Sequence, residues 1–112
     1  MAREEYEVPD GAAVFPLIPA ELGLHPLLLA ILHALVFLAG SANDIVNEAA
    51  ASEALDYMAG YVQRLSTLEA RRVHEDIQCL FAYGRQQKWS KEMLQFLEVL
   101  LDEFGIAADG QI

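Results

Sequence analysis

The stretch HPLLLAILHALVFLAG, residues 25–40, decides how the chain folds. Between Leu27 and Ala39 its only polar side chain is His33. Pro26 suits the first turn of a helix, where the missing amide hydrogen is not needed, and Gly40 suits the end. A helix from Leu27 to Ala39 is about 20 Å long at about 1.5 Å per residue, whereas the hydrocarbon core of a bilayer needs about 30 Å. Extending the run back to Leu22 brings in Gly23, His25 and Pro26, and no Lys or Arg stands close by to orient it in a membrane. The expectation is a central helix rather than a membrane span, buried by other helices of its own chain or of a second chain.

Working outward toward the C-terminus, Ile45, Ala49, Leu55, Met58, Ala59, Val62 and Leu65 recur at helical spacing between polar residues, which predicts a second helix over 43–65. Ser66-Thr67-Leu68-Glu69 has the form of a capping box, so a third helix starts there and runs to about Gln87. Its inward positions are Ala70, Val73, Ile77, Leu80, Phe81 and Gly84. Ser90 is placed to cap a fourth helix, KEMLQFLEVLLDEF (91–104), which Gly105 should end. That helix has a narrow polar stripe of Lys91, Glu92, Gln95, Glu98 and Asp102. The rest of its surface is apolar and too wide for one neighbour.

Toward the N-terminus the pattern breaks. Pro9, Gly11, Pro16, Pro19 and Gly23 punctuate residues 1–25, so this segment reads as an extended arm with at most one turn at Pro19–Leu22. Its middle, VFPLIP (14–19), is apolar and should lie across the bundle or across a neighbouring subunit. The fold class expected is all-α: a four-helix bundle-like single domain (26–106) with an extended Pro-rich N-terminal arm (1–25) and a frayed tail (107–112).

Composition narrows the classes of function. Over 112 residues, 54% are apolar and 21% charged, which excludes a disordered chain. The formal net charge of −10 opposes contact with phosphate backbones, so no nucleic-acid partner is expected. The start, with Glu4, Glu5, Glu7 and Asp10 against Arg3, does not resemble a signal peptide. A single cysteine, Cys79, excludes an internal disulfide and fits a cytoplasmic location.

Sites of chemistry are sparse. A carboxylate-bridged metal pair in a bundle needs Glu-x-x-His, and the residues three before His25, His33 and His74 are Leu22, Ala30 and Arg71. His74, Glu75, Asp76 and Cys79 form the nearest approach to a metal site and need ligands from another helix. His33, alone in an apolar helix, should find a partner such as a backbone carbonyl, Asp44 or Asp56, because burying it unpaired costs about 1–3 kcal/mol. His25 should cap the first helix. There is no Gly-x-Ser-x-Gly and no phosphate-binding glycine loop, so no catalytic residue, cofactor or metal is assigned. Residues 64–91 hold six cations, Arg64, Arg71, Arg72, Arg85, Lys88 and Lys91, against three acids, and these are expected to be solvated or ion-paired.

Three functions fit this pattern. The first is a non-catalytic, small acidic protein acting through self-association and protein–protein contact. It is expected to be a homodimer or higher even oligomer with Val14, Phe15, Leu17, Ile18, Leu28 and Leu35 at the interface. The second is a bundle with a small-molecule or metal pocket near His33 and Cys79, with Tyr57 and Tyr61 beside them. The third is an acidic inhibitor or immunity-type protein aimed at a basic partner.

Overall fold

The structure, a computed structural model, describes residues 8–103. The first seven residues of the arm, the stop at Gly105 and the tail 107–112 lie outside the described residues. Among the described residues there are four α-helices and no strand: α1 Pro26–Gly40, α2 Glu48–Val62, α3 Thr67–Gln86 and α4 Lys91–Glu103. A 3-10 turn, Ala20–Leu22, precedes them.

Each helix start has a side-chain cap. His25 Nδ1 accepts a hydrogen bond from the Leu27 amide at 3.1 Å, and Asn47 accepts from Ala50 at 2.9 Å. Ser66 and Glu69 close the capping box in both directions, at 3.1 and 2.8 Å. Ser90 accepts from Met93 at 3.1 Å. These bonds satisfy amides that have no partner inside their own helix.

Both ends of α2 and the manner in which α3 ends differ from the sequence reading: α2 stops at Val62 rather than 65, where the amides of Arg64 and Leu65 turn back onto the Tyr61 and Val62 carbonyls. Helix α2 begins at Glu48 rather than 43, because the amides of Ile45 and Val46 both turn back onto the Ala42 carbonyl and Asn47 then supplies the cap. Ile45, assigned above to the helical face, lies in that turn. Helix α3 ends in an unexpected way. Lys88 has φ of +60°, the left-handed conformation usually given to glycine, while Lys88 N–H donates to Arg85 O and Trp89 N–H to Gly84 O. This pair of bonds is a Schellman ending with a lysine at the left-handed position. It folds Trp89 back over Gly84, where any Cβ would collide with the indole.

The core joins Leu32, Leu35 and Val36 of α1 to Ala70, Ile77 and Leu80 of α3 and Leu97, Leu100 and Leu101 of α4. Helix α2 packs on α1. It reaches this core only through the half-buried Leu55, Met58, Ala59 and Val62. Helix α1 is therefore covered on one side rather than all round: Leu27, Ile31 and Phe37 remain exposed. No helix among the described residues is long and apolar enough to cross a membrane.

The arm lies across its own bundle. Its first hold is at the end of α1, where Ala13 N–H donates to Ser41 Oγ at 2.9 Å and Ala42 N–H to Gly11 O at 2.7 Å. Its second hold is Phe15, 1% exposed, whose ring meets His33 and Trp89 edge-on at 5.2 and 5.6 Å. The third joins the arm to α3. The Arg72 guanidinium donates to Gly23 O and to Asp76, and Asp76 also accepts the His25 amide. Asp76 is the only charged residue in the described core, and both its oxygens are used, as a buried carboxylate requires.

Candidate functional site

A groove of about 520 Å³ opens between the helices. Its floor is made by residues of the core itself: Leu32 and Leu35 of α1, Ile77 of α3, and Leu100 and Leu101 of α4. Its rim is exposed and still apolar, with Leu27 and Ile31 on α1, Tyr61 on α2 and Leu68 on α3. Met58, Val62, Leu65 and Val73 complete the walls.

Helical spacing explains the lining. On α1, Leu28, Ile31, Leu32 and Leu35 lie within one apolar arc, and on the opposite wall Met58, Tyr61, Val62 and Leu65 follow the i, i+3, i+4, i+7 rule. Helix α2 packs on α1 and meets the central core only through half-buried side chains, which leaves both arcs lining the groove.

Polar groups gather at one end, where the α1 cap adjoins the first two turns of α3. His25, Glu69 and Arg72 are the polar side chains there apart from the Tyr61 hydroxyl. Arg72 is held by its Nε, 2.9 Å from Asp76 Oδ1, and by its Nη2, 3.1 Å from Gly23 O. Hydrogen bonds from the backbone and side chain of Ser66 hold the Glu69 carboxyl below the usual carboxylate range. The Arg64 guanidinium sits 5.0 Å from the centre of the Tyr61 ring. The other end of the groove is hydrocarbon.

A sealed void of this size would cost about 12 kcal/mol at about 24 cal/mol per Å³, comparable with the whole stability of a domain. The groove is open instead, so water wets apolar walls. A guest that displaces this water gains the free energy of burying those walls.

The residues singled out from sequence are scattered. Of His33, Tyr57, Tyr61 and Cys79, only Tyr61 borders the groove. His33 is half-buried against Phe15, and neither Asp44 nor Asp56 is bonded to it among the described residues. Tyr57 is exposed and donates to Glu53 at 3.3 Å. Cys79 is an exposed thiol on α3. No group of three His, Cys, Asp or Glu among the described residues is placed to hold a metal. Of the interface candidates, Phe15 and Leu35 are inside the core, Leu28 and Ile18 are half-buried, and Val14 and Leu17 are exposed.

Leu68, Arg72, Met58 and Val73 are among the groove residues for which the sequence reading assigned no site. The one signal for them was Leu68 itself, a large apolar side chain in the first turn of α3 outside the inward set. No family model, curated protein or solved structure matches the chain.

Proposed function

We propose that the chain is a non-catalytic binding protein whose groove between α1, α2 and α3 takes an apolar guest. One observation carries the reading: the groove runs without a break from an exposed apolar rim, Leu27, Ile31, Tyr61 and Leu68, to a floor of core residues at most 8% exposed. Its volume falls in the range of about 300–1,000 Å³ common to sites that enclose small molecules, and such sites combine apolar walls with few polar groups. The guest lies away from His33 and Cys79. We place the protein in a reducing, cytoplasmic setting, since its one thiol stands exposed.

The neutral fluorescent probe N-phenylnaphthylamine tests this. It should brighten on the wild-type protein, and Met58→Trp or Val73→Phe, which fill the groove from opposite walls, should remove the effect while circular dichroism stays helical. Equal brightening in both folded variants would refute the groove as the site.

Self-association is the second reading, and Leu17, 90% exposed on a docked arm beside Val14, favours it. Large apolar side chains grouped at a surface mark contact sites, and a symmetric dimer is the commonest way to cover them. Light scattering at micromolar concentration should then give twice the 12.4 kDa chain mass, and Leu17→Glu should restore the monomer. A wild-type mass of 12.4 kDa would overturn that second reading and leave the groove proposal intact.

A further inference from the structure

We infer that the guest is a single-chain amphiphile with an uncharged, hydrogen-bonding head such as a hydroxyl; this rests on reading the groove as the binding site. The groove is polar at one end and hydrocarbon along the rest, which is the pattern of a molecule with one wet end and one dry end. The wall from Leu27 to Leu35 follows α1 over eight residues, about 12 Å at about 1.5 Å each. An extended alkyl chain of that length can lie on the floor with its head at His25 and Arg72.

The head chemistry follows from the charges at the mouth. His25 Nδ1 is occupied by the Leu27 amide, so a neutral ring keeps its proton on Nε2 and can donate it. Arg72 uses Nε and Nη2 within the protein, which leaves Nη1 to donate. Its charge, however, is already met by Asp76 at 2.9 Å, and Glu69 adds a second carboxylate to the mouth of a chain of net charge −10. Arg64, 5.0 Å from the Tyr61 ring, balances that second carboxylate, so the mouth holds two cations against two carboxylates and offers no surplus positive charge to an anionic head. A cationic head would face the Arg72 guanidinium, and Glu69 Oε1 is already engaged by the Ser66 amide. A hydroxyl takes the offered hydrogen bonds without either penalty.

The test is displacement of N-phenylnaphthylamine from the full chain by straight-chain alcohols from hexanol to dodecanol, below their aggregation limits. Affinity should rise about fourfold per added methylene until the chain fills the groove, then level off. Decanoate and decylamine at neutral pH should compete about tenfold less well than decanol, the scale of one charge misplaced at a wet mouth. Because Val73→Phe no longer takes the probe, alcohol binding to this variant is read by isothermal titration calorimetry, where the series should level off at a shorter alcohol than in the wild type; Leu28→Phe does the same from the other wall if Val73→Phe fails to fold. If the probe binds in the groove but no alcohol displaces it, the amphiphile inference falls and the groove reading stands. If the probe does not bind at all, both fall. Decanoate competing as well as decanol would overturn the uncharged head.

Discussion

Replacing Phe15 with alanine tests how the arm is attached. Phe15 is 1% exposed and lies between the His33 and Trp89 rings, so its removal empties a site enclosed by α1 and the α3–α4 turn. A buried Phe→Ala substitution costs about 3–5 kcal/mol, of which the two edge-to-face pairs supply about 0.5–1.5 kcal/mol each. Total stability for a domain is about 5–15 kcal/mol, so the variant should be close to unfolding at physiological temperature. At about 4 °C or more per kcal/mol, the melting temperature should fall by roughly 12 °C or more. Thermal and urea unfolding followed by circular dichroism measure this. Leu17→Ala, at a side chain 90% exposed two residues away, is the control and should change stability by less than about 0.5 kcal/mol. A loss below about 1 kcal/mol for Phe15→Ala would mean that the arm does not dock on the bundle, and that the hold described at Gly11–Ala13 and Phe15 is wrong.

Three further outcomes follow from other parts of the fold. Lys88→Gly should stabilise the protein by about 1 kcal/mol in urea titrations, because φ of +60° costs a lysine what it does not cost a glycine; destabilisation would argue against the Schellman ending. Ser66→Ala should raise the Glu69 carboxyl only part of the way toward its ordinary pKa in an NMR titration, because the amide of residue 66, the larger cause of the depression, still donates to it. Since the folded-state pKa is depressed, the stability from this group is present above its ordinary value of 4.5 and is lost as pH falls through the lower folded value; a Glu69 carboxyl that titrates at its ordinary value in the wild-type protein would contradict the capping box. His33→Leu should stay within about 1 kcal/mol of wild type, since the ring is half-buried and its recorded contact is an aromatic edge; a loss of several kcal/mol in thermal unfolding would show that the imidazole carries a polar role.

The local devices of the fold were legible in the sequence because they depend on neighbours in the chain. Pro26 and Gly40 each mark one end of α1, while Ser66 with Glu69 and Ser90 with Met93 are caps between residues three positions apart. The same locality explains the misplaced start of α2. Asn43 and Asn47 are both acceptable caps, and only the turn back onto Ala42 selects Asn47. The left-handed Lys88 carries no residue signal, since the conformation is enforced by Trp89 folding onto Gly84.

The groove was not legible for a physical reason. An apolar pattern around the whole of α1 gives no preferred face, so nothing in residues 27–39 distinguishes the buried Leu32, Leu35 and Val36 from the exposed Leu27, Ile31 and Phe37. His33 is the odd residue in that helix, yet its ring is turned to the arm rather than to the groove. The polar end is built by a long-range clasp: Arg72 and Asp76 on α3 meet Gly23 and His25 some fifty positions earlier, a pairing that spacing along the chain cannot reveal.

Amide NMR chemical-shift mapping of the labelled protein during titration with N-phenylnaphthylamine tests the groove most directly. The expected result is a set of saturating shifts confined to the groove walls, at Leu28, Ile31, Leu32, Met58, Tyr61, Leu68 and Val73, with Cys79, Tyr83 and Trp89 unmoved. Shifts spread over the exposed Leu17 and Val99, or no shifts at a concentration where the probe is soluble, would contradict the assignment of the groove as the site through which the protein acts.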